Sequence, residues 1–167
     1  VRNLTVDLVM SFDPCYSRAR VETLAAGRAE LTPLEACDLP IPAADRLWLL
    51  LREEFLPAAA LHWLACNFAE DALQAERAAG REPDARSWAA IEAKRRWLRG
   101  EVTTAELRAV CRAAMRAARA ASEAAATAAR AAAWAGGAAT RAVEEQQLAH
   151  VREVLQALTA GYSSSGE

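Results

Sequence analysis

Apolar residues recur at helical spacing along most of this chain, and the pattern predicts an all-α protein. Leu47, Trp48, Leu50, Leu51, Phe55 and Leu56 wrap most of one helix, opened by Pro42 or Ala43, which is therefore expected at the centre with Trp48 in the core. Pro57 starts the next helix. Its Leu61, Leu64, Ala65, Phe68 and Ala72 make one amphipathic stripe, widened by Cys66, Ala69 and Leu73, and Gly80 ends it. Ala85 to Arg99 places Trp88, Ile91 and Leu98 on one side, between an Asp84 N-cap and Gly100 just past the end. Thr103 to Glu106 reads as a capping box that opens a further helix. Leu148, Val151, Leu155 and Leu158 form a last apolar seam, ended by Gly161.

The first 41 residues lack this period. Leu4 to Met10 alternates, which permits a short strand, but no second strand is in view and an extended arm is expected. Asp13-Pro14 marks a turn, and Thr32-Pro33 caps one short helix through Cys37. The expected organisation is an irregular arm with one short helix over 1–41, a helical domain over 42–161 and a disordered polar tail over 162–167. This describes a single-domain helical bundle of about five or six helices.

Between Ala105 and Ala142 the chain is roughly half alanine, broken mainly by single arginines. Alanine has the highest helix propensity, and its small side chain lets helices approach closely. An unbroken helix from Thr104 to Ala160 would be about 85 Å long, against about 40 Å for a compact domain of this length. The helix is therefore expected to break or bend at Gly136-Gly137 and return as a long alanine-rich hairpin.

Composition narrows the chemistry. With 167 residues and a formal charge of −2, the chain carries no global field that announces a polyanion or a membrane surface. Cys15, Cys37, Cys66 and Cys111 lie more than twenty residues apart, and neither His62 nor His150 has zinc-site spacing, so buried free thiols and no metal are expected. Asp7 interrupts the only candidate leader stretch, and no apolar run approaches the roughly 20 residues of a membrane helix, so a cytoplasmic location is expected. No phosphate-binding glycine loop occurs, and no cofactor is expected. Cys66 stands one helical turn after His62, a spacing that can activate a thiolate in a thiol enzyme. Without a third orienting group, no catalytic residue is assigned.

The chain has one basic concentration. Lys94, Arg95, Arg96 and Arg99 lie just upstream of Arg108, Arg112, Arg116 and Arg119, which follow one helical stripe. Such a face suits an acidic protein partner. It equally suits the solvated side of an alanine helix in a chain whose only lysine is Lys94, as expected of a GC-rich genome. Nucleic acid is disfavoured, because Met115 and alanines fill the gaps where stacking aromatics would be needed. Trp63 or Trp97, each near arginine, is expected to be partly exposed.

The run from Leu39 to Leu56, containing Asp45-Arg46-Leu47-Trp48, is followed by Leu64-Ala65-Cys66, then Ala90-Ile91-Glu92-Ala93 and Trp97-Leu98-Arg99-Gly100-Glu101-Val102-Thr103. With the alanine helix and its Ala-Ala-Ala-Trp beyond, this order resembles bacterial immunity proteins whose C-terminal half is an alanine-rich helical repeat. Similar chains also occur as phage and prophage proteins. The likeness spans roughly 39–155 and is most specific at Asp45 to Trp48 and at Arg99 to Thr103. It implies a non-enzymatic cytoplasmic protein that binds and neutralises a toxin of its own genome. A phage-associated assembly or nucleic-acid accessory role is the alternative. The sequence departs from the resemblance at Gly136-Gly137 and in having a single tryptophan in the tract, and the resemblance assigns no binding residue.

Overall fold

The computed structural model describes residues 2–116 and 136–163, and over them the protein is all-α, with eight helices and no strand. These are α1 (Val6–Ser11), α2 (Arg18–Ala25), α3 (Pro33–Ala36), α4 (Ala43–Leu50), α5 (Ala58–Ala78), α6 (Ala85–Leu98), α7 over 104–116 and α8 (Gly136–Ser163). Most of the alanine tract lies outside the described residues, and with it Arg119, Trp134 and the hairpin expected there. Gly136 and Gly137 themselves stand in α8. Contacts group the chain into two compact units, one of 1–61 with 141–167 and one of 62–140.

In the first unit, the segment expected to be an irregular arm carries three helices. Thr5 caps α1 by accepting the Leu8 amide, and Ser17 caps α2 by accepting that of Arg20. Six residues are too few to display a helical period, which is why α1 reads as alternation in the sequence. Leu4 forms an isolated antiparallel bridge with Leu31, exchanging two backbone hydrogen bonds at 2.7 and 2.9 Å. Thr32 caps α3 as expected, with Pro33 in the first turn, and Glu35 completes a capping box that the sequence reading did not name.

The central helix is shorter than its apolar run. α4 ends at Leu50, and 51–56 turn back so that Phe55 and Leu56 are buried from a non-helical segment. Trp48 is not core: it is 42% exposed, with the Arg52 guanidinium 4.3 Å over its ring and 4.3 Å over that of Phe12. Phe12 meets Phe55 edge-on at 6.0 Å. Leu148, Val151 and Leu155 of α8 are buried as the seam predicts. Two arginine bridges seat α8 within this unit: Arg46 donates to Glu145 at 2.7 Å and to the Cys37 carbonyl at 2.8 Å, and Arg152 donates twice to Asp38. α8 continues past Gly161 to Ser163, two residues beyond the expected stop.

In the second unit, pairs between α5 and α6 run in opposite directions along the chain (Trp63 with Arg95, Arg77 with Trp88), so the helices are antiparallel. Leu64 and Cys66 are buried and Leu61, Phe68 and Leu73 half-buried, while Ala65, Ala69 and Ala72 of the expected stripe are exposed. Gly80 and Gly100 adopt φ of 78° and 75° and close their helices with paired amide-to-carbonyl bonds, Gly80 to Arg77 with Arg81 to Glu76, and Gly100 to Trp97 with Glu101 to Arg96. Asp84 caps α6. Thr103 and Glu106 form the capping box of α7. The cysteines are free; Cys37 and Cys66 are buried, but Cys15 is exposed, contrary to a uniform set of buried thiols.

The two capping boxes predict a pH response. In each, a threonine amide and hydroxyl donate to glutamate, holding Glu35 and Glu106 below the usual carboxylate range. A depressed folded pKa stabilises above the unfolded value of about 4.3 and loses that contribution as pH falls through the folded value. Glutamine keeps the reciprocal bonds without titrating. The double variant Glu35→Gln, Glu106→Gln should therefore lose less melting temperature than wild type between pH 6 and pH 3, read by circular dichroism. An identical loss would show that the boxes contribute nothing to acid sensitivity.

Candidate partner-binding face

The sequence groups eight basic residues, and the structure divides them. On α6, Arg95 faces α5, donating to Glu70 at 2.5 Å and Asn67 at 3.1 Å with its guanidinium 5.7 Å from the Trp63 ring centre. Arg99 donates to Glu101 at 2.5 Å and to Glu92 at 3.4 Å, and Arg96 lies 3.4 Å from Glu101. Glu101 thus serves two arginines, and the Arg99 hydrogen bonds hold its carboxyl below the usual range. The Lys94 ammonium sits 3.9 Å over the Trp97 ring, a cation–π contact. Every basic side chain of this cluster on α6 and its C-terminal end therefore has a partner within the chain.

α7 differs. Leu107 is buried and Val110, Cys111 and Ala114 are half-buried, one turn apart on one face. Arg108, Arg112 and Arg116 are four residues apart on another face and exposed, and among the described residues their side chains have no hydrogen bond, ion pair or ring contact. The spacing of about one turn gives three guanidinium groups in a row that have no partner among the described residues. Arg119, which extends this stripe in the sequence, lies outside the described residues.

The expectation that Trp63 or Trp97 is partly exposed holds for both, with Trp63 at 36% and Trp97 half-buried. Of the partners that engage the α6 cations, Glu92 and Glu101 are near Arg99 in the sequence, and Glu70 is the one the sequence conceals. Glu70 is 25 residues from Arg95, and only the fold of α5 against α6 brings them together.

His62 and Cys66 are not joined by a hydrogen bond among the described residues. The His62 ring instead meets Trp97 edge-on at 5.7 Å. Burial pushes the Cys66 thiol up, and Arg95 and Lys94 oppose this less strongly; an activated thiolate needs the reverse. Among the described residues no group of three or more His, Cys, Asp or Glu side chains could hold a metal ion, and no helix is long and apolar enough to cross a membrane.

Comparison with known protein families, with characterised proteins and with solved structures finds no match to this chain.

Proposed function

We propose that this chain is a non-enzymatic protein-binding module of the immunity type, which neutralises a cognate toxin by docking an acidic surface of it on α7. The observation that carries the docking face is the row Arg108, Arg112 and Arg116, exposed and unpartnered among the described residues beside an α6 whose cations are already engaged. A row of uncompensated guanidinium groups favours a complementary carboxylate surface and speeds encounter with it. The sequence resemblance supports a toxin as that partner. Nucleic acid is the weaker reading, because the row holds no aromatic residue and Trp97 already carries Lys94 over its ring, leaving no stacking platform beside the arginines.

The test is capture of partners by the tagged chain from the source organism's lysate at physiological salt with nuclease present. One stoichiometric acidic protein is expected, growth-inhibitory when expressed alone and harmless when co-expressed with this chain. Arg112→Glu with Arg116→Glu should weaken its binding roughly tenfold or more while leaving the melting temperature within about a degree of wild type, as expected for exposed charges. Recovery of nucleic-acid-dependent or phage assembly proteins alone, or binding that survives the double reversal, would overturn the reading.

A further inference from the structure

Within the first unit, packing leaves a cavity of about 480 Å³ between α1, α2, the Leu4–Leu31 bridge and α4. Val9, Val21, Leu24, Leu31, Trp48 and Leu49 supply its apolar wall. Ordinary interiors hold few voids larger than a water molecule, whereas small-molecule sites occupy roughly 300–1,000 Å³ and combine such walls with a few polar groups. This cavity belongs to the second class by size and by lining.

The polar groups on the lining are biased in sign. Three acidic residues lie on the lining, the exposed Asp13 and Glu30 and the half-buried Asp45, against one basic residue, Arg28. Arg28 is already engaged: it donates to Glu35 at 2.9 Å and to the Ala25 carbonyl at 3.3 Å, and Glu35 is not part of the lining. The carboxylates have no ion pair among the described residues, and the positive charge that reaches the Tyr16–Asp45 pair is that of Arg20, which is not part of the lining. Among the described residues, Glu30 accepts from the neutral amide of Asn3 at 2.8 Å, the Asp13 side chain has no hydrogen bond or ion pair, and Asp45 accepts from the Tyr16 hydroxyl at 2.5 Å.

Asp45 is the best placed of the three. It is half-buried in the first turn of α4, where the helix dipole favours a negative charge, and both it and Tyr16 line the cavity. The hydrogen bond to Asp45, with burial second, pushes the Tyr16 phenol up to about 12, so the hydroxyl remains a neutral donor at physiological pH. A neutral donor orients the carboxylate without cancelling its charge. An anionic ligand would meet three carboxylates and a spoken-for arginine, and a neutral ligand would gain from the wall alone.

We propose that this cavity binds a small amphiphilic cation, its apolar body against the Val9, Leu24 and Leu49 wall and its protonated amine paired with Asp45. The site lies in a different unit from the α7 row, and its occupancy does not depend on the toxin reading.

Three probes with one body and different heads test it: phenylbutylamine, phenylbutanol and phenylbutyrate, titrated into the full chain by calorimetry and by NMR. The amine is expected to bind about tenfold more tightly than the alcohol, because its positive charge adds an ion pair to the hydrogen bond that either head can donate to the Asp45 carboxylate, with the carboxylate weakest. Asp45→Asn, which preserves shape, should bring the amine to the level of the alcohol and weaken the alcohol far less than the amine. Leu24→Trp, which fills the cavity from its half-buried wall, should abolish binding of all three, with folding of both variants checked by circular dichroism. Binding of phenylbutyrate as tight as that of the amine, an amine preference that survives Asp45→Asn, alcohol binding that survives Leu24→Trp, or no binding of the amine at millimolar concentration would each overturn the proposal.

Discussion

Phe55→Ala is expected to cost about 3–5 kcal/mol of folding stability, the largest single effect of the changes considered. The side chain is 1% exposed and meets Phe12 edge-on, so truncation removes both the apolar transfer and an aromatic pair. Its place in a turn rather than a helix matters. The segment 51–56 has no continuous backbone ladder to hold it, and the burial of Phe55 and Leu56 is what folds it back after α4. The loss should appear as a lower urea midpoint. Phe55→Leu, which keeps most of the volume, should lose less than half as much. A loss below about 1 kcal/mol for the alanine variant would mean that the neighbours close over the gap, which the buried packing here opposes.

Arg95→Ala is expected to cost about 2 kcal/mol, through the loss of charge-assisted bonds to Glu70 and Asn67 and of contact with the Trp63 ring. The figure lies below that for a fully buried pair because the side chains of Arg95 and Glu70 are 21% and 35% exposed, and solvent screens them in part. Glu70→Gln should recover part of the loss in an Arg95→Met background, since it removes the carboxylate left without its arginine. Thermal melting of the single and double variants measures the coupling directly. The contrast with α7 is the point of the experiment. Arg95 should move stability, whereas Arg112 and Arg116 should move partner binding alone. An Arg95→Ala variant with unchanged melting would return Arg95 to the set of residues available to a partner.

Several helix ends were legible in the sequence because capping is local chemistry. Thr32, Asp84, Thr103 with Glu106, Gly80 and Gly100 each act on amides or carbonyls a few residues away, and each does so in the structure. The α8 seam was legible for the same reason, since Leu148, Val151 and Leu155 need only the helical period to share a face. What the sequence hid depends on distant partners. Trp48 sits in a run apolar on nearly all sides, and nothing local says that the helix stops at Leu50 or that Arg52 folds over its ring. The basic concentration looked uniform until the fold brought Glu70 to Arg95; Glu92 and Glu101, seven and two residues from Arg99, are local partners that the count of cations alone passed over, and among the described residues the α7 row is the part without a partner. Tyr16 and Asp45 are 29 residues apart, and neither drew notice as a pair before the fold joined them.

Lys94 is the chain's only lysine, and its ammonium rests on the face of Trp97. Apart from any free α-amino group, amine-directed chemistry therefore has one address on this molecule. An ester-activated dye, a biotin or a sensor surface coupled through amines would anchor at α6, next to the helix that carries the proposed docking row, and would replace a cation lying on an indole by a bulky neutral amide. Binding studies on this chain should be tethered instead through a terminal tag, while deliberate acylation of Lys94 offers a fluorescence reporter at Trp97 that requires no mutation.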